Sequence, residues 1–257
     1  MRSRLALRSL SIALALACAV SVSQADVTGP GFTIEAIDEV TGHAGTFSAN
    51  ASWDSDNGTW YWGSTDPISI MATTGEELAI LNPSELPTGS ASTYFEDPIV
   101  NLNFAVQAGV NPTTFRIASA LLSFPTLTNP DAVASAGFSV TDTNGNGVGL
   151  TGIGLTGGGY LAQYNGFAGA FPTPLGTTFA ELQQNLAAGP FGTNSQSEDH
   201  PLVGTQVIPA TVNDISTLVS FSLSARDLAS GTTTFSVVPE PASLALLVLG
   251  ALVARRR

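Results

Sequence analysis

The sequence predicts a mainly β protein, an antiparallel β-sandwich of jelly-roll-like type with one short helix. Two observations lead to this prediction. Several stretches of the central region alternate apolar and polar residues with a period of two, which is typical of half-buried strands. Turn-forming pairs separate these stretches. Many short strands with polar outer faces are what two packed antiparallel sheets require.

The strand candidates follow one another along the chain. In TLVSFSLSAR, Val219, Phe221 and Leu223 fall on one face and serines on the other. The same alternation occurs in FTIEAIDE, VNLNFAVQ and TTTFSVV, and TFRIASALLSF is a more apolar candidate. The turn signals between strands are Asn57-Gly58, Asn111-Pro112, Asn129-Pro130 and Asn144-Gly145.

One segment, TTFAELQQNLAAGP, predicts the short helix. Thr178 and Glu181 have the spacing of a capping box, and Gly189-Pro190 supplies a stop. The apolar stripe of this helix would consist of Phe179, Leu182 and Leu186. We expect it to cover an open end of the sandwich.

The first 25 residues have the three-part order of a secretory signal peptide. A positive start precedes an apolar stretch, and Ser23-Gln24-Ala25 fits a signal peptidase cut before Asp26. The single cysteine, Cys18, lies inside this segment. The mature chain would therefore contain no disulfide and no thiolate metal site.

The charge of the central region is strongly negative. All eight basic residues are arginines, and only Arg116 and Arg226 lie between Asp26 and Val238, against 19 acidic residues there, a formal charge of −17. Phosphate backbones would repel such a body, so nucleic-acid binding is excluded. Anionic lipid surfaces are disfavoured for the same reason.

The last residues combine a proline-rich start, an apolar run and three arginines. Positions 242–254 contain one polar side chain, Ser243, and a helix of that length spans about 20 Å, short of the roughly 30 Å hydrocarbon core. The positive-inside rule keeps Arg255, Arg256 and Arg257 cytoplasmic. We expect a short inner-membrane helix there, with the acidic body outside.

This ending, VPEPASLALLVLGALVARRR, resembles the PEP-CTERM sorting signal, the substrate tag of exosortases. The resemblance covers about the last 20 residues, and the short helix is the one departure from the pattern. It implies that an exosortase-type enzyme reads Pro239, Glu240 and Pro241, and that the tail is removed. It also implies delivery to the envelope, surface or biofilm matrix of a Gram-negative bacterium that makes exopolysaccharide. We thus divide the chain into a signal peptide (1–25), a single β-sandwich domain (26–237) and a sorting signal (238–257).

The segment SWDSDNGTWYWG predicts a hairpin that turns at Asn57-Gly58. A two-residue loop pairs Trp53 with Trp62 and places both on one face with Trp60. One interpretation is core packing and cross-strand aromatic pairing. The other is a stacking platform for sugar rings, which would require exposed indoles.

The segment DTNGNG has oxygen-bearing residues at alternate positions, as calcium loops do: Asp142, Asn144 and Asn146. The twelfth position, where a bidentate glutamate would stand, is Ile153. An ordinary Asn-Gly hairpin loop is the alternative. We therefore predict no cofactor, with this loop as a weak calcium candidate.

Catalytic patterns are sparse. The two histidines are His43 and His200, the second beside Glu198 and Asp199, and no G-x-S-x-G nucleophile turn is present. We expect a non-catalytic protein with a structural or adhesive role in an exopolysaccharide matrix. A carbohydrate-binding module is the first alternative, and an envelope hydrolase is the second.

Overall fold

A computed structural model describes residues 25–84, 90–170 and 175–238. Within these residues the chain forms eighteen strands and no helix. In chain order the strands are β1 (Asp26–Asp38), β2 (Ala44–Ala49), β3 (Ser52–Asp54), β4 (Thr59–Ser64), β5 (Ile68–Met71), β6 (Glu77–Leu81), β7 (Ala91–Glu96), β8 (Ile99–Ala108), β9 (Thr113–Thr128), β10 (Asp131–Thr141), β11 (Val148–Gly152), β12 (Tyr160–Tyr164), β13 (Thr177–Leu182), β14 (Asn185–Ala188), β15 (Thr193–His200), β16 (Gln206–Val207), β17 (Thr211–Leu223) and β18 (Leu228–Val238).

The strands form two antiparallel sheets, as the alternating sequence pattern predicts. The eight-stranded sheet has the order β13-β12-β17-β9-β1-β2, and β11 and β14 extend it beside β17. The ten-stranded sheet has the order β15-β10-β18-β8-β7-β4-β3, with β5, β6 and β16 at its margins. The long strands β8, β9, β10, β17 and β18 alternate between the two sheets. The β-sandwich class is thus confirmed, and the jelly-roll connectivity stays a prediction.

Phenylalanines from both sheets join them at the centre. Phe104 and Phe138 of the ten-stranded sheet meet edge to face at 5.3 Å, and Phe221 of the eight-stranded sheet lies 5.6 Å from Phe104. Each of the three is at most 2% exposed. Burial of a side chain of this size stabilises the fold by about 1.5–3 kcal/mol, so this cluster anchors the packing of the two sheets.

The outer face of the eight-stranded sheet is partly covered. Val219 and Phe221 point into the core as predicted, but Ser220, on the other face, is buried as well. A second apolar cluster lies on that outer face and includes Ala168, which belongs to the segment after β12. The outward side of this sheet is therefore not a free polar surface.

The predicted helix is wrong, because its residues form β13 and β14. β13 and β14 run in the same direction, beside β12 and β11 respectively, and Gln183, with a positive φ of 63°, lies in the break between them. The side chain of Glu181 accepts hydrogen bonds from Thr156 and Gly158 instead of capping a helix. A helix of about twelve residues is marginal on its own, and pairing with β11 and β12 supplies ladder hydrogen bonds that a helix there would forgo.

Both ends of the described domain lie at the same end of the sandwich. Asp26 in β1 is paired with Ser123 of β9, and Val238 in β18 is paired with Asp131, the first residue of β10. The β9–β10 turn joins these two places, and we call this end the β9–β10 pole.

Three predicted features lie outside the described residues: the signal segment up to residue 24, the Pro239–Pro241 motif and the terminal arginines at 255–257. Among the residues that the structure describes, no helix is long and apolar enough to span a membrane.

Candidate functional site

The outer face of the ten-stranded sheet carries an uncharged polar surface across five neighbouring strands. It is built by outward residues of β10, β18, β8 and β7, whose chain neighbours point into the core, and by residues of β15, an edge strand that is exposed along most of its length. We call this surface the polar face, and it consists of Ser92, Asn101, Asn103, Ser135, Gly137, Ser139, Ser195, Ser197, Ser230, Thr232 and Thr234.

The strand register arranges the polar face in rows. One row runs across six strands as Tyr61–Tyr94–Asn101–Thr234–Ser135–Asp199. The next row passes through Asn103, Thr232, Gly137 and Ser197. Since adjacent strands lie about 4.8 Å apart, each row offers side chains at a regular spacing across the sheet.

A trough of about 520 Å³ opens over the middle of the polar face. Gly137 lies at its floor, where a Cβ would have only the Ser197 Cβ nearby, at 4.0 Å. The trough exists because this strand position has no side chain while its neighbours do. Serines of the adjoining strands border it, among them Ser139, Ser195 and Ser230.

Hydrogen bonds between strands orient the side chains of the polar face. The Asn103 amide donates to Ser92 Oγ at 2.9 Å, and Thr234 Oγ1 donates to Asn101 Oδ1 at 2.6 Å. Ser195 Oγ donates to Ser139 Oγ at 2.9 Å. These contacts restrict side-chain rotation, which lowers the entropy cost when a ligand binds.

Two tyrosines adjoin the polar face on β4 and β7. Tyr61 is 51% exposed and is paired with Tyr94, whose hydroxyl donates to Glu96 at 2.9 Å. Burial and the neighbouring Glu96 carboxylate raise the pKa of Tyr94. The hydroxyl therefore keeps its proton at neutral pH and remains a hydrogen-bond donor.

The tryptophan hairpin has a different register from the predicted one. Its loop contains four residues, 55–58, and Trp53 is paired with Trp60 rather than with Trp62. The Asp54 carboxylate accepts hydrogen bonds from the backbone of Asp56 and from the Asn57 amide, which stabilises the longer loop. The observed loop is two residues longer than the predicted one. Because side chains alternate with a period of two along a strand, the three tryptophans still lie on one face, as predicted.

The three indoles do not form a flat exposed surface. Trp62 is half-buried and stacks on Phe32 at 4.6 Å. Trp60 is half-buried too, and its Nε1 donates to the carbonyl oxygen of Ala25 at 3.4 Å. Trp53 is 36% exposed and is tilted by 54° against Trp60. Trp53 is therefore the member of the set with most ring surface open to a ligand.

The DTNGNG loop uses its oxygens to hold its own backbone. Asp142 accepts hydrogen bonds from the N–H groups of Asn144, Gly145 and Phe191. Burial acts to raise the pKa of Asp142, but backbone hydrogen bonds outweigh it and hold the pKa below the ordinary value. Across the described ranges no group of three or more His, Cys, Asp or Glu side chains could hold a metal ion.

The two histidines lie on different parts of the sandwich. His43, after β1, contacts Glu76 at 2.8 Å, whereas His200 ends β15 and meets the edge of Phe179 at 5.1 Å. The Glu198 carboxylate accepts the backbone N–H of Gln183 at 2.7 Å. The structure thus does not bring His43 and His200 together.

Sequence reasoning missed the polar face. Its signal was present as serine, threonine and asparagine that alternate with apolar or small residues in β8, β10 and β18 and that fill much of β15. Only the strand order, which makes β18 the neighbour of both β10 and β8, reveals that these separate patterns form one surface.

Comparisons with known proteins give no family. No family model matches the chain, and no curated protein matches it. Among solved structures, TmCBM61 in complex with β-1,4-galactotriose is 13% identical with a TM-score of 0.24, over 52% of this chain and 69% of that one. The enzymatically active domain of bacteriophage CBA120 tailspike protein 4 is 8% identical with a TM-score of 0.23, over 55% of this chain and 18% of that one.

A third match, Broad Bean Stain Virus, is 10% identical with a TM-score of 0.21, over 84% of this chain and 85% of that one. At these TM-scores none of the three identifies the function of this chain.

Proposed function

We propose that the protein is exported, is sorted through its C-terminal tail by an exosortase-type enzyme, and has a non-catalytic structural or adhesive role in an exopolysaccharide matrix. The observation that supports this most is the position of both domain ends at the β9–β10 pole. A chain held by its tail at that pole before processing leaves both sheets and the opposite end accessible.

The position of the motif supports a processing step. Pro239 follows directly on Val238, the last residue of β18. Removal of the tail at this place would leave every strand of the domain intact. The two prolines also disfavour helix and favour an extended backbone, which suits recognition by a processing enzyme.

Charge supports delivery to the outside. The region between Asp26 and Val238 has a formal charge of −17, whereas six of the eight arginines lie beyond it. An anionic inner-membrane surface would repel the body, and the arginines would stay on the cytoplasmic side. The same negative charge keeps copies soluble and apart.

The test replaces Pro239, Glu240 and Pro241 together by alanine in the native host. We expect the wild type to lose its tail and reach the outside, and the variant to keep the tail and remain with the cell. Mass spectrometry of the C-terminus and fractionation measure both effects. The matched control replaces Thr65, Asp66 and Pro67, another acid and proline in an exposed turn, and should behave as the wild type. A cytosolic product that retains Met1 and Arg257 would refute the proposal.

A carbohydrate-binding module is the second candidate, with Trp53, Trp60 and Trp62 as its proposed contacts. The exposed edge of Trp53 supports it. Substitution Trp53→Ala should weaken retention on a polysaccharide matrix without loss of stability, whereas Trp60→Ala should affect both, because Trp60 also packs against the core. Equal retention of the wild type, Trp53→Ala and Trp60→Ala on every matrix would contradict this second function.

A further inference from the structure

We infer that the polar face binds a neutral polysaccharide chain, which lies across the strands from the Gly137 trough toward Tyr61 and Tyr94. This inference deepens the adhesive role proposed above and rests on it for the source of the glycan. The site differs from Trp60 and Trp62, which pack against the core on the opposite side of the same sheet, and its tyrosine end adjoins Trp53, which lines one depression with Tyr61 and Tyr94.

The charge distribution selects the ligand class. The central region carries 19 acidic residues, yet none belongs to the polar face. Carboxylates lie at its margins, at Glu96 and Asp199 and at Asp54 beside the two tyrosines. An anionic polymer would gain no cation on the polar face and would meet the field of an acidic body. A neutral chain with many hydroxyl groups meets neither obstacle.

The chemistry of the polar face suits sugars. Hydroxyl groups and amides can both donate and accept hydrogen bonds, as sugar hydroxyls do. Aromatic rings supply the apolar contact that a sugar ring needs beside such polar groups. Tyr61 and Tyr94 provide this contact at one end of the row that contains Asn101, Thr234 and Ser135.

The dimensions favour a chain over a single sugar. From β10 at the trough to β4 at Tyr61 there are four strand spacings, which amounts to about 19 Å. The trough itself has a volume of about 520 Å³. A linear oligosaccharide can lie in the trough and reach the tyrosines, so several weak contacts add up.

The test fills the trough. Substitution Gly137→Arg introduces a long side chain where a Cβ fits without a clash, at a position that does not require a positive φ. The matched control is Gly149→Arg, because Gly149 also lies in a strand, β11, and a Cβ there meets nothing within 4 Å. Ser197→Arg, on the exposed strand β15, fills the same trough from its side if Gly137→Arg fails to fold.

The measurement is affinity electrophoresis in gels that contain dextran, laminarin, galactan or xyloglucan, with alginate and polygalacturonate as anionic probes. The full-length chain is produced in a host without an exosortase-type enzyme and purified from a detergent extract of whole cells, so neither tail processing nor its location in the cell enters the result. We expect retardation by at least one neutral polymer and by neither anionic one. Gly137→Arg should weaken the apparent affinity at least tenfold, and Gly149→Arg should leave it unchanged.

Three results would overturn the inference. The first is no retardation in any neutral gel. The second is equal retardation of the wild type, Gly137→Arg and Ser197→Arg. The third is a wild-type protein that sediments as a dimer and a Gly137→Arg variant that sediments as a monomer. The polar face would then be a contact between two copies of the chain. Failure of tail processing would leave all of these measurements intact, so the two proposals can fail separately.

Discussion

At the β1–β2 turn, a buried aspartate fixes the loop by accepting hydrogen bonds. Asp38 is 4% exposed, and its oxygens accept the N–H groups of Val40 and Thr41 and the amide of Asn111, each at 2.8 Å. Burial alone would raise the pKa of Asp38, but these hydrogen bonds hold it below its ordinary value. The ionised form is therefore the one that stabilises the fold.

The first prediction concerns acid stability. Because its pKa in the folded state is lowered, Asp38 contributes its full stabilisation above the unfolded pKa, and this is lost as the pH falls through the folded pKa. Asp38→Asn should reduce the free energy of unfolding at pH 7 by about 1–3 kcal/mol and should flatten its decline below about pH 4. Urea unfolding across a pH series measures this. Parallel curves for the two proteins would contradict it.

The second prediction compares two glycines in strands. A Cβ at Gly45 would lie 2.4 Å from the Met71 carbonyl oxygen, whereas a Cβ at Gly149 meets nothing within 4 Å. Gly45→Ala should cost about 1–3 kcal/mol through overpacking. Gly149→Ala should be neutral or stabilising by up to about 1 kcal/mol. Thermal unfolding of both variants separates them, and similar losses in both would contradict the packing at Gly45.

At the scale of elements, alternation in the sequence identified the long strands and failed at one short segment. Val219, Phe221 and Leu223 are fully buried, so a pattern of period two sufficed for β17. The segment of Phe179, Leu182 and Leu186 also satisfies a helical spacing, and local sequence could not decide between the two. Tertiary pairing favours strands over a helix here, because β11 and β12 provide edges with which β14 and β13 pair.

The third prediction tests the role of Glu181 in β13. Its Oε1 accepts the N–H groups of Thr156 and Gly158, at 2.8 and 2.7 Å. Glu181→Ala should therefore loosen the segment between β11 and β12, and hydrogen exchange at these two amides should accelerate by about tenfold or more. The control, Glu77→Ala on an exposed strand end, should leave both rates unchanged. Slow exchange in Glu181→Ala would show that other contacts hold the segment.

At the scale of the whole molecule, the acidic residues between Asp26 and Val238 far outnumber the basic residues there. The described residues include an ion pair of Arg116 with Glu35 and a hydrogen-bonded contact of His43 with Glu76, each at 2.8 Å. The remaining acids repel one another, and repulsion at long range lowers the stability of a compact body. Added salt screens this long-range repulsion between acidic side chains.

The fourth prediction follows from that repulsion. Raising NaCl from about 0.01 M to about 1 M shortens the screening length from about 30 Å to about 3 Å, and the melting temperature should rise. A variant with Asp66→Asn and Glu77→Gln, two exposed acids, should respond less. Melting curves at a series of salt concentrations measure both. A melting temperature that falls or stays constant would show that repulsion does not limit stability.

The candidate site shows what sequence could not supply at this scale. Asn103, Gly137 and Thr232 are far apart in the chain, and each belongs to an unremarkable polar pattern. They become neighbours because β18 lies between β8 and β10. The three tryptophans, in contrast, are close together in the sequence and are easily recognised as a set. Two of them, Trp60 and Trp62, pack against the core.

The central position of β18 also determines how the domain would bear a pulling force. This strand is paired along its length with β10 on one side and β8 on the other, it ends at the β9–β10 pole, and it contributes three residues to the polar face. Tension between a glycan on that face and a tether after Val238 would run along β18 itself. Both ladders would then be loaded in shear, many hydrogen bonds at once, and the molecule would resist extraction from the matrix better than its modest size suggests.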